Sequence, residues 1–212
     1  MQGQETRIKL RWINLRRPPS ALAGLVAPVL FVTIFMLEGW LRPGYHPASM
    51  FVSELSLGPR GWVQIANFVV TGGLVVVFAW GLRTFLFAGR ATKGGARCLT
   101  IIGVSLIASG PSVTDPSVLF NQHSPHGLLH GLFGAMVFSL APISCFIFFR
   151  RFLPDPIWRR FAWWTLAVGV VLVLTIVALK VSQLSQGALF MSRGLVQQVY
   201  LVVFFGWQFS FA

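Results

Sequence analysis

The chain is poor in charge and poorer still in acid. Only 10% of its 212 residues are charged, and only five are Asp or Glu. A water-soluble domain needs a polar exterior. With 55% hydrophobic residues and a mean hydropathy of +0.73, too little polar surface remains to build one. Cysteine is scarce as well. Cys98 and Cys145 fall near helix ends that the charge pattern below assigns to the reducing cytoplasmic side, which argues against a structural disulfide. They read as small apolar packing residues. Strict alternation of apolar and polar residues is missing from the long runs, which argues against a β-barrel. The two halves of the chain share no pattern, unlike the repeats of many transporters.

What the chain does have is length in its apolar runs. A hydrocarbon core about 30 Å thick takes roughly 20 apolar residues in a helix. Six stretches approach this: Ala21–Leu41, Trp62–Phe87, Arg97–Val113, His126–Phe149, Phe161–Val181 and Gly194–Phe211. The expected fold is all-α: a polytopic six-transmembrane-helix bundle forming one domain over residues 21–212. Residues 1–20 precede it as a basic segment. The small-residue triplet Ala21-Leu22-Ala23 opens the first apolar run instead of closing it, so helix 1 reads as retained and not as a cleaved signal. "TRIKLRWINLRR" before it is either an interfacial helix or a disordered basic tail.

The net charge of +12 is unevenly placed. One set of connecting segments holds Arg7, Lys9, Arg11, Arg16, Arg17, Arg83, Arg90, Lys93, Arg97, Arg150, Arg151, Arg159 and Arg160. The other set holds only Arg42, Arg60, Lys180 and Arg193. This is the positive-inside asymmetry, and it puts both termini in the cytoplasm of a multi-pass plasma membrane protein. The basic surplus faces anionic lipid, a contact worth about 1 kcal/mol per Lys or Arg near the surface. Membrane lipids are the expected partners, and nucleic acid is not.

The remaining titratable groups crowd the opposite side. Glu38, His46, Glu54, Asp115, His123, His126 and His130 fall outside or near outer helix ends, whereas Glu5 and Asp155 fall inside. Ionisable groups at membrane depth are costly and need partners, so their gathering predicts an outward-facing polar cavity. "DPSVLFNQHSPHGLLHG" is its densest stretch. Ser124 suits an N-cap and Pro125 the first position of helix 4. His126 and His130 then stand one turn apart on a shared face. Gly127, Gly131 and Ala135 form a neighbouring small-residue row that suits close helix packing. Gly110-Pro111 should kink or stop helix 3. Ser53 reads as the cap of a short helix bearing Glu54 and Ser56, and Glu54 is either a solvated loop acid or part of the cavity mouth. Glu38 lies one turn from Arg42, and the two are expected to pair. Arg193 either snorkels to headgroups, grips an anionic group, or pairs with Asp115 or Glu54.

Three chemistries fit the imidazoles. They hydrogen-bond to neighbouring helices or to Asp115; they respond to pH; or His126, His130 and Asp115 hold zinc or another divalent metal. HxxxH is a weak signal, and the catalytic HExxH form is absent. No other cofactor is expected.

Three segments carry a family resemblance: "GYHPASMFVSELSLGPRGWVQIANF", "PSVTDP…HGLLHG" and "RGLVQQVYLVVFFGW". Together they resemble the bacterial and archaeal membrane family called domain of unknown function 998. The likeness runs from helix 1 to helix 6. It implies a six-helix integral membrane protein, and it implies that Glu54, Asp115, His126 and His130 are the residues to watch. It brings no established activity. In that family the last helix often begins Gly-Leu-x-Gln-Arg. Here Gln198 stands in the Arg position, so no anion-binding role carries over to it.

The leading expectation is a binding or accessory membrane protein. Its cavity, lined by Glu54, Asp115, His126, His130 and Arg193, takes a lipid headgroup, a small solute or a membrane partner. The alternative is a metal-dependent hydrolase acting on a lipid or lipid-linked substrate at the outer leaflet. A small proton-coupled transporter ranks third, because the inner half lacks a polar path.

Overall fold

A computed structural model describes residues 19–85, 90–116, 124–184 and 192–212. The basic segment 1–18 and His123 lie outside the described residues. There are six α-helices among them: α1 Pro19–Leu41, α2 Gly61–Phe85, α3 Arg90–Ser109, α4 Pro125–Phe152, α5 Arg159–Leu184 and α6 Arg193–Phe211. A short 3-10 helix, Val52–Ser56, sits between α1 and α2. No strand occurs among the described residues.

Each helix packs against the next, and α6 packs back on α1, so the six close into a ring. Four of them are long and apolar enough to cross a membrane: Pro19–Leu41, Gly61–Thr84, Pro125–Phe152 and Arg159–Leu184. Their outer faces are apolar too. Trp40 is 82% exposed, Trp80 71% and Leu174 61%. Such faces suit hydrocarbon, not water, and mark a membrane-embedded protein.

In lipid the backbone must satisfy itself, which makes an internal proline awkward. Pro28 in α1 has no N–H, so the carbonyl of Gly24, four residues back, loses its helical donor. Gln208 Nε2 of α6 donates to that carbonyl at 3.5 Å. Pro142 in α4 frees the carbonyl of Phe138 in the same way. The Tyr200 hydroxyl, also on α6, donates to it at 2.7 Å. Thus α6 supplies the donors that α1 and α4 lack.

The ring is filled unevenly. At the end holding the α4–α5 connection, Phe148, Phe152, Trp158, Phe161, Trp207 and Phe211 form a continuous aromatic plug, with neighbouring ring centroids 4.9 to 6.3 Å apart. Such edge-to-face and offset pairs each add about 0.5–1.5 kcal/mol beyond burial. Between α2 and α3, Gly72 and Gly103 face each other so closely that a Cβ on either would lie within 2.7 Å of the other's carbonyl oxygen. That is the close approach small residues permit.

Two expectations need correction. α3 was expected over 97–113 but runs from Arg90 to Ser109. Its early start includes Gly94-Gly95, which reads as loop. Gly95 instead lies under the Phe148 ring, where a Cβ would come 2.5 Å from Cε2, so tertiary packing overrides glycine's poor helix propensity. Its end falls just before Gly110-Pro111, which stops the helix and does not kink it. Glu38 does not pair with Arg42. Arg60 reaches it from the start of α2 with two bonds, Nε to Oε2 at 3.1 Å and Nη2 to Oε1 at 2.5 Å. Arg42 donates to the Glu54 carbonyl instead. The bidentate geometry of Arg60 favours it over a single-turn neighbour.

Candidate functional site

Away from the aromatic plug the ring stays open. A cavity of about 640 Å³ occupies the end formed by the C-terminal halves of α1, α3 and α5 and the N-terminal halves of α2, α4 and α6. The side-chain contacts between α4 and α5 explain why. Phe146 with Gly169, Phe149 with Trp163 and Phe152 with Phe161 all lie in the plug half. Toward the other end Gly131, Gly134 and Ala135 of α4 and Ile176, Leu179 and Lys180 of α5 line the cavity instead.

This corrects the reading of the glycine row. Gly131 and Gly134 do not pack against a helix. A Cβ at either would meet no heavy atom within 4 Å among the described residues. Gly131 and Ala135 have the spacing of a packing stripe, yet both line the cavity, and Gly134 between them does the same. Gly127 does pack, but against a side chain: a Cβ there would collide with the Asp115 carboxylate.

Asp115 lines the cavity and ties its rim together. Its Oδ2 accepts from Ser124 N at 2.9 Å and its Oδ1 from Ser124 Oγ at 2.7 Å. Ser124 Oγ in turn accepts from Gly127 N at 3.0 Å, the expected N-cap of α4 with Pro125 following. A carboxylate near a helix N-terminus also gains from the helix dipole. His130 is buried and lines the cavity. Its Nδ1 meets the carbonyls of Ser112 at 2.7 Å and Ser109 at 3.2 Å, and its ring sits edge-on to Phe68 at 5.9 Å. His126 is one turn away, exposed, and not among the lining residues. The i, i+4 spacing therefore does not bring both imidazoles into the cavity, because the cavity faces only part of α4. Among the described residues no group of three His, Cys, Asp or Glu side chains is placed to hold a metal.

Arg193 lines the opposite wall and is only 4% exposed, so it does not snorkel. Its Nε donates to Ser49 O at 2.7 Å, and its guanidinium lies 5.5 Å from the Phe51 ring centre, a cation–π distance. Glu54 lies within Coulombic reach of it. Glu54 is 2% exposed and stands behind the wall, not in it. Its Oε1 accepts from Phe51 N at 2.8 Å, closing the first turn of the 3-10 helix. The cap position is therefore Phe51 and not Ser53. Phe51, Val52 and Ser53 beside it do line the cavity. Burial and the neighbouring Glu54 charge push the Tyr45 phenol well above its ordinary range, against the opposing pull of Arg42.

The start of α6 is locked to this loop. Gly194 N and Leu195 N donate to Ala48 O at 2.8 and 3.1 Å, which satisfies donors that a helix start leaves orphaned. Gln198 Nε2 donates to Pro47 O, and Gln197 Oε1 accepts from Val52 N at 2.7 Å. Gln197 also lines the cavity and was not singled out from the sequence, although it lies in the "RGLVQQ" stretch. So the segments "GYHPASM" and "RGLVQQ" touch, and Gln198, in the position where an Arg is common in the family, holds the loop.

These features define a helical membrane protein with a partly polar cavity at one end. The chain belongs to the protein family of unknown function DUF998, whose family model matches residues 25–212. No curated protein and no solved structure matches it.

Proposed function

We propose that the protein spans the plasma membrane six times, with both termini in the cytoplasm, and that its cavity opens toward the outer leaflet and holds one amphipathic lipid or lipid-like solute. The Lys and Arg asymmetry supports the orientation. The plug end carries Arg150, Arg151, Arg159 and Arg160, whereas the cavity end carries Arg42, Arg60, Lys180 and Arg193. α3 and α6 complete the six spans. Neither is among the four most clearly apolar spans, but Ser105 and Ser109 of α3 and Gln208 of α6 are buried within the ring, so lipid does not meet them.

The cavity is the single observation that carries the ligand reading. Binding sites for small molecules measure about 300–1,000 Å³, with mostly apolar walls and a few placed polar groups. Here Phe31, Phe68, Leu106, Val137 and Phe138 offer an apolar wall, and Asp115, His130 and Arg193 offer a polar end. Hydrocarbon fits the first set and a headgroup the second. A metal-dependent hydrolase would keep Asp115 and His130, yet it needs a third ligand, and His126 stands outside the wall.

Filling the cavity is the test. Gly131→Leu and Gly134→Leu add bulk where no described atom stands within 4 Å. Lipid extraction from purified wild-type protein should yield a tightly held amphiphile at near one per chain, and the double variant should lose it while remaining folded. Equal lipid content in both proteins would defeat the proposal.

A further inference from the structure

Among the described residues, the imidazole of His130 is engaged on one nitrogen only. Its Nδ1 faces two backbone carbonyls, Ser112 O at 2.7 Å and Ser109 O at 3.2 Å. Carbonyl oxygens only accept, so Nδ1 carries the hydrogen. Ser109 ends α3, where helix geometry leaves C=O groups without donors, and Ser112 lies three residues beyond it. That is a structural role, and it fixes the tautomer. In the neutral ring Nε2 then holds a lone pair. Among the described residues nothing donates to Nε2. Nor is it sealed away: the fully enclosed side-chain atoms without a partner among the described residues are Gln64 Nε2 and Gln208 Oε1. His130 is 9% exposed, and the cavity is the space it lines. The edge-on contact with Phe68 holds the ring plane.

We propose that the occupant of the cavity bears a hydroxyl that donates to His130 Nε2, so that the ligand class is a long-chain alcohol or a neutral hydroxyl-headed lipid. This rests on the cavity being a lipid site, as proposed above. A buried acceptor left without a donor is costly, so an occupant that supplies one gains over an isostere that does not. A headgroup with only acceptors, such as a fully ionised phosphate, sets lone pairs against lone pair. The alkyl body then lies along Phe68, Leu106, Val137 and Phe138.

The experiment compares hexadecanol, hexadecyl methyl ether and hexadecyl phosphate by native mass spectrometry of the full chain. It is run at about pH 8, above the ordinary imidazole range. Wild type should bind the alcohol about tenfold more tightly than the ether. His130→Asn keeps an N–H near the Nδ1 position and has nothing at Nε2, so it should bind both alike. Gly134→Leu should bind neither. If wild type binds the ether as well as the alcohol, or the phosphate more tightly than either, the hydroxyl assignment is overturned while the cavity reading stands. If wild type binds none of the three, or Gly134→Leu binds them all undiminished, the cavity reading fails and this inference with it. Should His130→Asn not fold, the wild-type ratio of alcohol to ether alone decides.

Discussion

The two ends of this bundle are built on opposite terms. At one end six aromatic side chains interlock around Phe148 and Phe211. At the other, α4 presents Gly131 and Gly134 to an unfilled space. Lipid tails are as apolar as leucine, so a membrane bundle draws its cohesion from packing and from satisfied polar groups. The comparison teaches that stability and opening are segregated: the plug secures the ring, which leaves the other end free to hold a cavity.

Substitutions can break that contrast. Truncating the plug should do most damage. Trp207→Ala removes a fully buried ring and its hydrogen bond to Thr165, and should cost about 3–5 kcal/mol, read as a large drop in detergent-denaturation midpoint. Tyr200→Phe should cost about 1–3 kcal/mol, because it strands the Phe138 carbonyl that Pro142 has already deprived of its helical donor. Gly134→Ala, at the open end, should go the other way. It should stabilise by up to about 1 kcal/mol, read as a raised midpoint, since helix propensity improves and no described atom stands in the way. A finding that Gly134→Ala destabilises as much as Trp207→Ala would erase the distinction between the ends.

The smallest effect concerns Tyr45, one of two tyrosines in the chain. Its phenol is held neutral by burial and by Glu54. A folded-state pKa above the unfolded one gives stability that is complete below about pH 10 and fades as pH rises through the folded value. In a Tyr200→Phe background, phenolate absorbance should be absent at about pH 11 in folded protein and appear on unfolding. Absorbance rising at about pH 10 without unfolding would place Tyr45 in water.

Much of the fold was legible in the sequence because hydrophobic length is a strong signal. α1, α2, α4, α5 and α6 begin and end within three residues of expectation, and Ser124 caps α4 as its chemistry predicts. α3 was misplaced because Gly94 and Gly95 signal loop locally, and only contact with Phe148 makes them helix. Of the site, Asp115, His130 and Arg193 reach one cavity, while Glu54 stands behind its wall and His126 faces away. Helical spacing tells which residues share a face, but not how wide a face the neighbours leave open. The glycines show the same limit: Gly72 serves close packing on Gly103, whereas Gly131 lines the cavity. The partners of Pro28 and Pro142 were equally hidden, since they come from α6, far along the chain.

The central claim is that this open end faces outward and admits a ligand. It is tested most directly by placing a single thiol on the bare wall. With Cys98 and Cys145 replaced by Ala, Gly131→Cys in intact cells should react with a small membrane-impermeant thiol reagent applied from outside. A long-chain alcohol should slow that reaction. Labelling that requires permeabilised cells, or that proceeds at the same rate with the alcohol present, would contradict the account.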